Sequence, residues 1–392
     1  MPVINSIAAI RDEMAEWRQD IHAHPELAFQ EVRTSALVAE KLESWGIKVT
    51  RGIGKTGLVG TLEGRDPGSR SIGLRADMDA LPLQELNDLP YKSQHDGKMH
   101  ACGHDGHTAV LLGAAKYLAE TRNFTGTVQF IFQPAEEGYA GAKAMIKDGL
   151  FERFPCDEVY GLHNAPHMEF GKIGVVAGPM LAAADTFDIV IQGRGGHGAF
   201  PQTSVDPVLI GSQIVVALQS IISRNANPQK GAVISVTRFF GGEAFNVIPD
   251  SVLMGGTVRT FDPAVQDMII ERMEAITTGI ATALGGSAEL RYRRGYPVTS
   301  NHAENAEIAA AVAADVVGAG QVLRDIAPVM GAEDFSFMLQ EKPGCYIWLG
   351  QGGQVGGEGA LHHPRYNFND DALPIGASYF ATLVEQRLGR AA

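Results

Sequence analysis

The sequence predicts an α/β protein in which a discontinuous domain with a largely parallel sheet is interrupted by an inserted ferredoxin-like β-α-β-β-α-β domain. Two observations predict it. In the first and last parts of the chain, short apolar segments alternate with helical patterns, the grammar of parallel strands joined by crossover helices. From Thr186 the order becomes strand, helix, two successive strands, helix and strand. The expected division is 1–184 with 297–392 for the outer domain and 185–296 for the insert.

Each element has a local cause. Val3, Ile4, Ile7, Ile10, Met14, Trp17 and Ile21 recur at three- and four-residue steps, one apolar face of an opening helix that should end near His24-Pro25. A second helix is expected over 34–45. Apolar strands ending in turn residues follow at 58–62, 72–74, 128–132 and 159–162, with helices at 108–120 and 141–149. In the insert, 187–192, 232–239, 252–260 and 288–292 read as strands, and Asp206-Pro207 and Asp262-Pro263 open its two helices. Strand 345–349 and a helix near 373–388 close the chain, after a glycine-rich stretch at 350–359 that reads as a mobile loop.

Composition narrows the function. Among 392 residues, 45% are hydrophobic and 20% charged, which excludes a disordered or collagenous chain. The 45 acidic against 32 basic residues give a formal net charge of −13, so no basic footprint for nucleic acid or anionic lipid is present and small-molecule chemistry is expected. Cys102, Cys156 and Cys345 form no C-x-x-C pair, which fits a reducing, cytoplasmic setting. Cys156 and Cys345 read as buried structural thiols. No leader pattern and no uninterrupted apolar run of about 18 residues is seen, so no membrane span is expected.

The chemistry-bearing residues cluster at segment ends. Met99-His-Ala-Cys-Gly-His-Asp-Gly-His could present Cys102 and His104 to one transition metal; alone, it reads equally as turn and N-cap residues ahead of a helix. Glu136 and Glu137 leave the strand at 128–132, where a parallel sheet faces its ligands, and point in different directions. One can ligate a metal while the other meets a water; the competing reading is a solvated helix start. His163 ends the next strand, and one of His362 and His363 adds another imidazole. Cys102, His104, Glu137, His163 and one of that pair make five ligands, enough for two ions sharing a bridge. Asp79 could accept the second ring N–H of a ligand imidazole, or simply form a turn. In the insert, His197 in a glycine loop could polarise a carbonyl, and Asn246 or Arg259 could hold a substrate carboxylate, each against a structural alternative.

With Arg75-Ala-Asp-Met-Asp-Ala-Leu-Pro, Gln133-Pro-Ala-Glu-Glu, Gly195-Gly-His-Gly and Gly331-Ala-Glu-Asp-Phe added in this order, the chain resembles the M20 metallopeptidases over nearly its full length. The resemblance is to their amidohydrolase branch of hippurate, N-acyl-amino-acid and auxin-conjugate hydrolases. It implies Cys102, His104, Glu137, His163 and His362 as ligands of two divalent ions (Zn, Mn, Co or Ni), and Glu136 as general base. It also implies that His197 reaches the partner subunit's site, that Asn246 faces substrate, and that the insert is a lid through which a homodimer or homotetramer forms. Asp77 stands where many M20 peptidases have His, so the Cys102-containing ligand set is expected, and a thiolate favours softer ions. The implied activity is hydrolysis of N-acyl amino acids. Its alternatives are deacetylation of a biosynthetic intermediate such as N-acetyl-diaminopimelate, a dipeptidase, or a catalytically silent metal-binding protein. His22-Ala-His-Pro-Glu26 resembles a stretch of the same branch and is assigned no chemistry.

Overall fold

The computed structural model describes residues 3–352 and 359–389, so 353–358 of the glycine-rich stretch expected to be mobile lie outside the described residues. The chain forms two compact units, residues 1–178 with 300–327 and 334–392, and Pro179–Thr299 with Pro328–Glu333.

After a short helix, Asn5–Ala9, come α1 (Arg11–Ala23), α2 (Val32–Ser44), β1 (Lys48–Ile53), β2 (Gly57–Glu63), β3 (Asp66–Asp77), α3 (His104–Thr121), β4 (Thr125–Gln133) and β5 (Glu158–Ala165). The second unit holds β6 (Ala183–Gln192), α4 (Pro207–Ser220), β7 (Ala232–Phe240), β8 (Ser251–Thr260), α5 (Pro263–Ala283) and β9 (Ser287–Tyr296). The chain then returns to the first unit with α6 (Ala303–Val317), β10 (Gly344–Gly350) and α7 (Leu373–Arg387). The opening helix is not continuous as expected: its backbone relaxes at Ile10 (φ −100°, ψ 15°), yet Ile7 and Met14 on either side enter the same core.

In the first unit the sheet runs β1-β2-β4-β3-β5-β10, extended by the short strands Ile173–Gly174 and Val322–Leu323. β4, β3, β5 and β10 are mutually parallel. The β1–β2 hairpin adds an antiparallel edge, because a connection of three residues cannot return a parallel strand. Every residue of β5 and β10 is buried, so both faces of the sheet are covered at its centre. The chemically active segments therefore leave the carboxyl ends of β3, β4 and β5 side by side, as open α/β sheets arrange their ligand sites.

The second unit is a four-stranded antiparallel sheet, β7-β8-β6-β9, carrying α4 and α5, the ferredoxin-like order. Asp206 and Asp262 cap these helices: each carboxylate accepts from two first-turn amides, with proline at the first helical position. The stretch Pro207–Asn225 is long and apolar enough by composition to cross a membrane. Its Ile210, Ile214, Leu218 and Ile221 are spent in this unit's core with Phe187, Ile189 and Met254.

Candidate metal centre

Three strand ends and one helix start build the site. β3 runs out through Asp77 to Asp79, β4 through Pro134 to Glu136 and Glu137, and β5 carries His163 and Asn164. Cys102 and His104 flank Gly103 at the start of α3. Gly103 has φ 96°, and a Cβ there would stand 2.5 Å from Asn164 Oδ1, so only glycine lets the helix begin this close to β5. A Cβ on Gly106, one turn on, would enter the Phe368 ring at 2.2 Å.

Ligand-type atoms converge. Cys102, His104 and His163 present theirs within 4.8 Å of one another, as do Cys102, Glu137 and His362, and His104, Glu136 and Glu137. Cys102 Sγ lies 3.4 Å from His163 Nε2. His163 Nδ1 donates to its neighbour's carbonyl, Asn164 O, at 2.8 Å, so Nε2 carries the lone pair. His104 is held likewise, Nδ1 against Asp79 Oδ1 at 3.3 Å, while its buried Nε2 has no hydrogen-bond partner. Of the two late histidines, His362 is the one at Glu137: its Nε2 lies 3.2 Å from Oε1 without hydrogen-bond geometry. His363 instead accepts from the Arg365 amide.

Asp79 does more than meet an imidazole. Its Oδ1 accepts the Glu136 amide and its Oδ2 the Glu137 amide, both at 2.9 Å. Ala135, just before, sits in the left-handed region (φ 55°, ψ 46°), a conformation that costs a non-glycine residue about 1–2 kcal/mol and persists only where its surroundings hold it. Asp77 is bound by Arg75 at 2.7 Å and by His107 Nδ1 at 2.6 Å, and His107 Nε2 meets Asn164 Oδ1 at 2.7 Å. The Asp334 amide donates to Glu136 Oε1 at 3.3 Å.

The electrostatics call for a cation. Burial, then Glu137, Glu136 and Asp77, push the Cys102 thiol far up. Burial alone would lower His104, but Asp77, Asp79 and Glu137 outweigh it and raise the imidazole to about 10. Burial and the neighbouring His107 keep His163 neutral. A pocket that draws protons onto a thiol and an imidazole, with an orphaned imidazole nitrogen and an orphaned carboxylate oxygen, has the donor set and the charge deficit of a transition-metal site.

A second buried network braces the start of α3. His22 Nδ1 meets Asp105 Oδ2 at 2.8 Å and its Nε2 meets Glu85 Oε1 at 3.2 Å, while Arg18 donates to Asp105 at 3.0 Å and to Asp370. Glu26 accepts the Arg33 and Thr34 amides and caps α2. The motif 22–26, given no chemistry from sequence, is thus a brace for two helix starts. Burial opposes His22 protonation, but the hydrogen bonds to Asp105 and Glu85 outweigh it and push the imidazole up to about 9. A raised imidazole stabilises the fold fully below its ordinary pKa near 6.5, and the gain is lost as pH rises through about 9, at most ~3 kcal/mol for a shift of this size. His22→Gln should therefore lower the melting temperature strongly at pH 6.5 and much less at pH 10; equal losses at both would refute the charged pair.

In the second unit, His197 is exposed and pairs with Val247 in a short antiparallel bridge, and the Asn246 carbonyl accepts the Gly198 amide at 2.8 Å. His197 and Asn246 thus share one turn cluster. His197 Nδ1 accepts from the Ala199 amide, leaving Nε2 as the proton-bearing nitrogen. Arg259 lies apart from them on β8, half-buried, donating to the Thr257 hydroxyl and the Val258 carbonyl.

Sequence reasoning missed Glu31 and gave no role to Asn164, or to Arg75, His107 and Asp334, which stood only within their motifs. The signals were a polar residue attached to an apolar strand end, for Arg75 and Asn164, and the motifs themselves, for His107 and Asp334.

The model of peptidase family M20/M25/M40 matches residues 73–386. The chain is similar to the hippurate hydrolase of Campylobacter jejuni, 44% identical over 383 residues that cover 98% of both proteins. It is also similar to the N-acetylcysteine deacetylase of Bacillus subtilis, 40% identical over 377 residues covering 96% of this chain and 97% of that one. Among solved structures it is similar to the YXEP protein of Bacillus subtilis, described as a dinuclear metal binding peptidase of the M20 family, with a TM-score of 0.85 and 36% identity over 97% of this chain and 99% of the other.

Proposed function

The chain belongs to peptidase family M20/M25/M40, and from that premise we propose that it is a metal-dependent amidohydrolase of N-acyl amino acids, hippurate-like or N-acetylated, releasing a carboxylate and a free amino acid. The observation that carries the reading is the pair of imidazoles, His104 and His163, each tied through Nδ1 and presenting Nε2 beside Cys102 or Glu137, with a second carboxylate adjacent.

Cys102, His104, Glu137, His163 and His362 would hold two divalent ions, Cys102 being common to two of the ligand triplets. Such ions, when bound, supply Lewis acidity and lower the pKa of water. Glu136, buried and aimed by the Asp79 and Asp334 contacts, takes a proton from the attacking water and returns it to the leaving nitrogen. His197 donates its Nε2 proton to the developing oxyanion, in a dimer or tetramer in which the insert serves as lid and the imidazole reaches the partner's site. Asn246, clustered with His197, and Arg259, whose guanidinium donates through NH1 alone among the described residues, are the two candidates for the substrate carboxylate. Three buried, unpaired cysteines suit a reducing cytoplasm.

The test is amino-acid release from hippurate, N-acetyl amino acids including N-acetylcysteine, and a dipeptide, using apo protein reconstituted separately with Zn²⁺, Mn²⁺, Co²⁺ and Ni²⁺. Metal-dependent release from an N-acyl substrate is expected, and the preferred acyl group ranks hippurate-like against acetyl substrates. Silence across the panel with metal bound would defeat the reading.

A further inference from the structure

Glu31 precedes α2, where an acidic residue is ordinarily solvated, yet it is fully buried. Its Oε1 accepts the Ala135 amide at 2.9 Å and the Phe29 amide at 3.0 Å, and its Oε2 accepts the Thr56 hydroxyl at 2.5 Å. These contacts join three loops: the chain before α2, the β1–β2 turn and the exit of β4. The β1–β2 turn itself lies against Pro134, since a Cβ on Gly57 would stand 2.7 Å from its ring. Three successive amides at the β4 exit are thereby taken by two carboxylates, Ala135 by Glu31 and Glu136 and Glu137 by Asp79.

We propose that Glu31 is a positioning residue for the paired carboxylates: with Asp79 it grips the left-handed turn at Ala135 and so fixes the directions in which Glu136 and Glu137 leave the sheet. A left-handed alanine between a proline and two acidic residues has no local reason to persist, and the Asp79 grip begins only one residue later. The Glu31 contact is the hydrogen bond made by the strained residue's own amide. Burial, with Asp79 nearby, pushes the Glu31 carboxyl up to about 7, so the chain retains here a carboxyl group whose ionised form its surroundings disfavour. Both forms leave Oε1 able to accept, so the grip rests on acceptor geometry rather than on charge.

The inference rests on Glu136 as base and Glu137 as ligand, and its test reads metal binding as well as turnover. Glu31→Ala and the shortened Glu31→Asp should each weaken Zn²⁺ affinity by calorimetry, and lower kcat by about 10–100-fold with KM within about twofold, the scale of an outer partner lost from a metal site. Glu31→Gln, which keeps the accepting oxygen, should restore both to near wild type. If Glu31→Ala does not fold, Glu31→Asp decides. Wild-type affinity and kcat in a folded Ala or Asp variant would overturn the proposal, as would a Gln variant as impaired as Ala. If the wild type hydrolyses nothing on the panel, the reading of function fails, and the affinity differences among these variants still decide the role of Glu31.

Discussion

Glu136→Gln is expected to lower kcat by roughly 10²–10⁴-fold, the range for loss of a positioned general base, with bound metal unchanged. The amide keeps the shape and the oxygen that accepts from the Asp334 backbone, and the Glu136 amide stays on Asp79. Only the capacity to take a proton is lost. Glu136 is 6% exposed, so bulk water is poorly placed to substitute for it. Its neighbour should fail differently. Glu137 pairs with Cys102 and His362 in a ligand cluster, so Glu137→Gln should first weaken metal affinity, with turnover lost in proportion to metal and partly recovered at high metal concentration. Parallel measurements of metal content and kcat on the two variants separate a base from a ligand. Near-normal turnover in Glu136→Gln, or metal loss from it, would assign the two adjacent carboxylates wrongly.

The fold class was legible because its signals are local. Apolar runs of strand length, broken by glycine and proline, announce β3, β4 and β5, and Asp-Pro pairs announce α4 and α5 by a capping chemistry confined to three residues. The segments that meet at the carboxyl ends of the parallel strands were legible for the same reason, since chemistry-bearing residues directly follow each apolar run. The supports of the site were not. Glu31 reaches an amide 104 residues away and stands in no pattern that distinguishes it from a solvated acid, and Asp334, although within Gly331-Ala-Glu-Asp-Phe, touches a carboxylate 198 residues away that the motif does not announce. Asp79 was read as a partner for one imidazole, but its two amide bonds depend on the turn at Ala135, a conformation that an alanine does not announce. The break at Ile10 was missed because an apolar period of three and four survives a single relaxed residue.

Arg75→Met should destabilise the first unit by about 3–5 kcal/mol, the usual cost of removing one partner from a buried ion pair. Arg75 is 1% exposed, and its guanidinium spans two carboxylates with no solvent exposure: NH1 holds Asp77 at 2.7 Å and NH2 holds Asp334 at 3.1 Å, while Nε donates to Gln133 at 2.8 Å. A methionine fills much of the same volume, so the loss is chiefly that of charge and donors, leaving two buried carboxylates less compensated. Burial raises the Asp77 carboxyl, and His104, Arg75 and His107 together hold it well below the usual range, so Asp77 stays ionised on the strength of these partners. Adding Asp334→Asn removes one of the charges stranded by the first substitution, and the double variant should be more stable than the sum of the two single losses predicts. All three tryptophans, Trp17, Trp45 and Trp348, lie in the first unit, so denaturant unfolding followed by tryptophan fluorescence reports this unit. A midpoint for Arg75→Met within about 1 kcal/mol of wild type would show that the guanidinium is replaceable. Additive losses in the double variant would show that Asp334 is not its partner. Because Asp334 also presents its backbone amide to Glu136, a folded Arg75→Met protein should lose turnover beyond its loss of stability, which would tie the stability of the buried pair to the aim of the base.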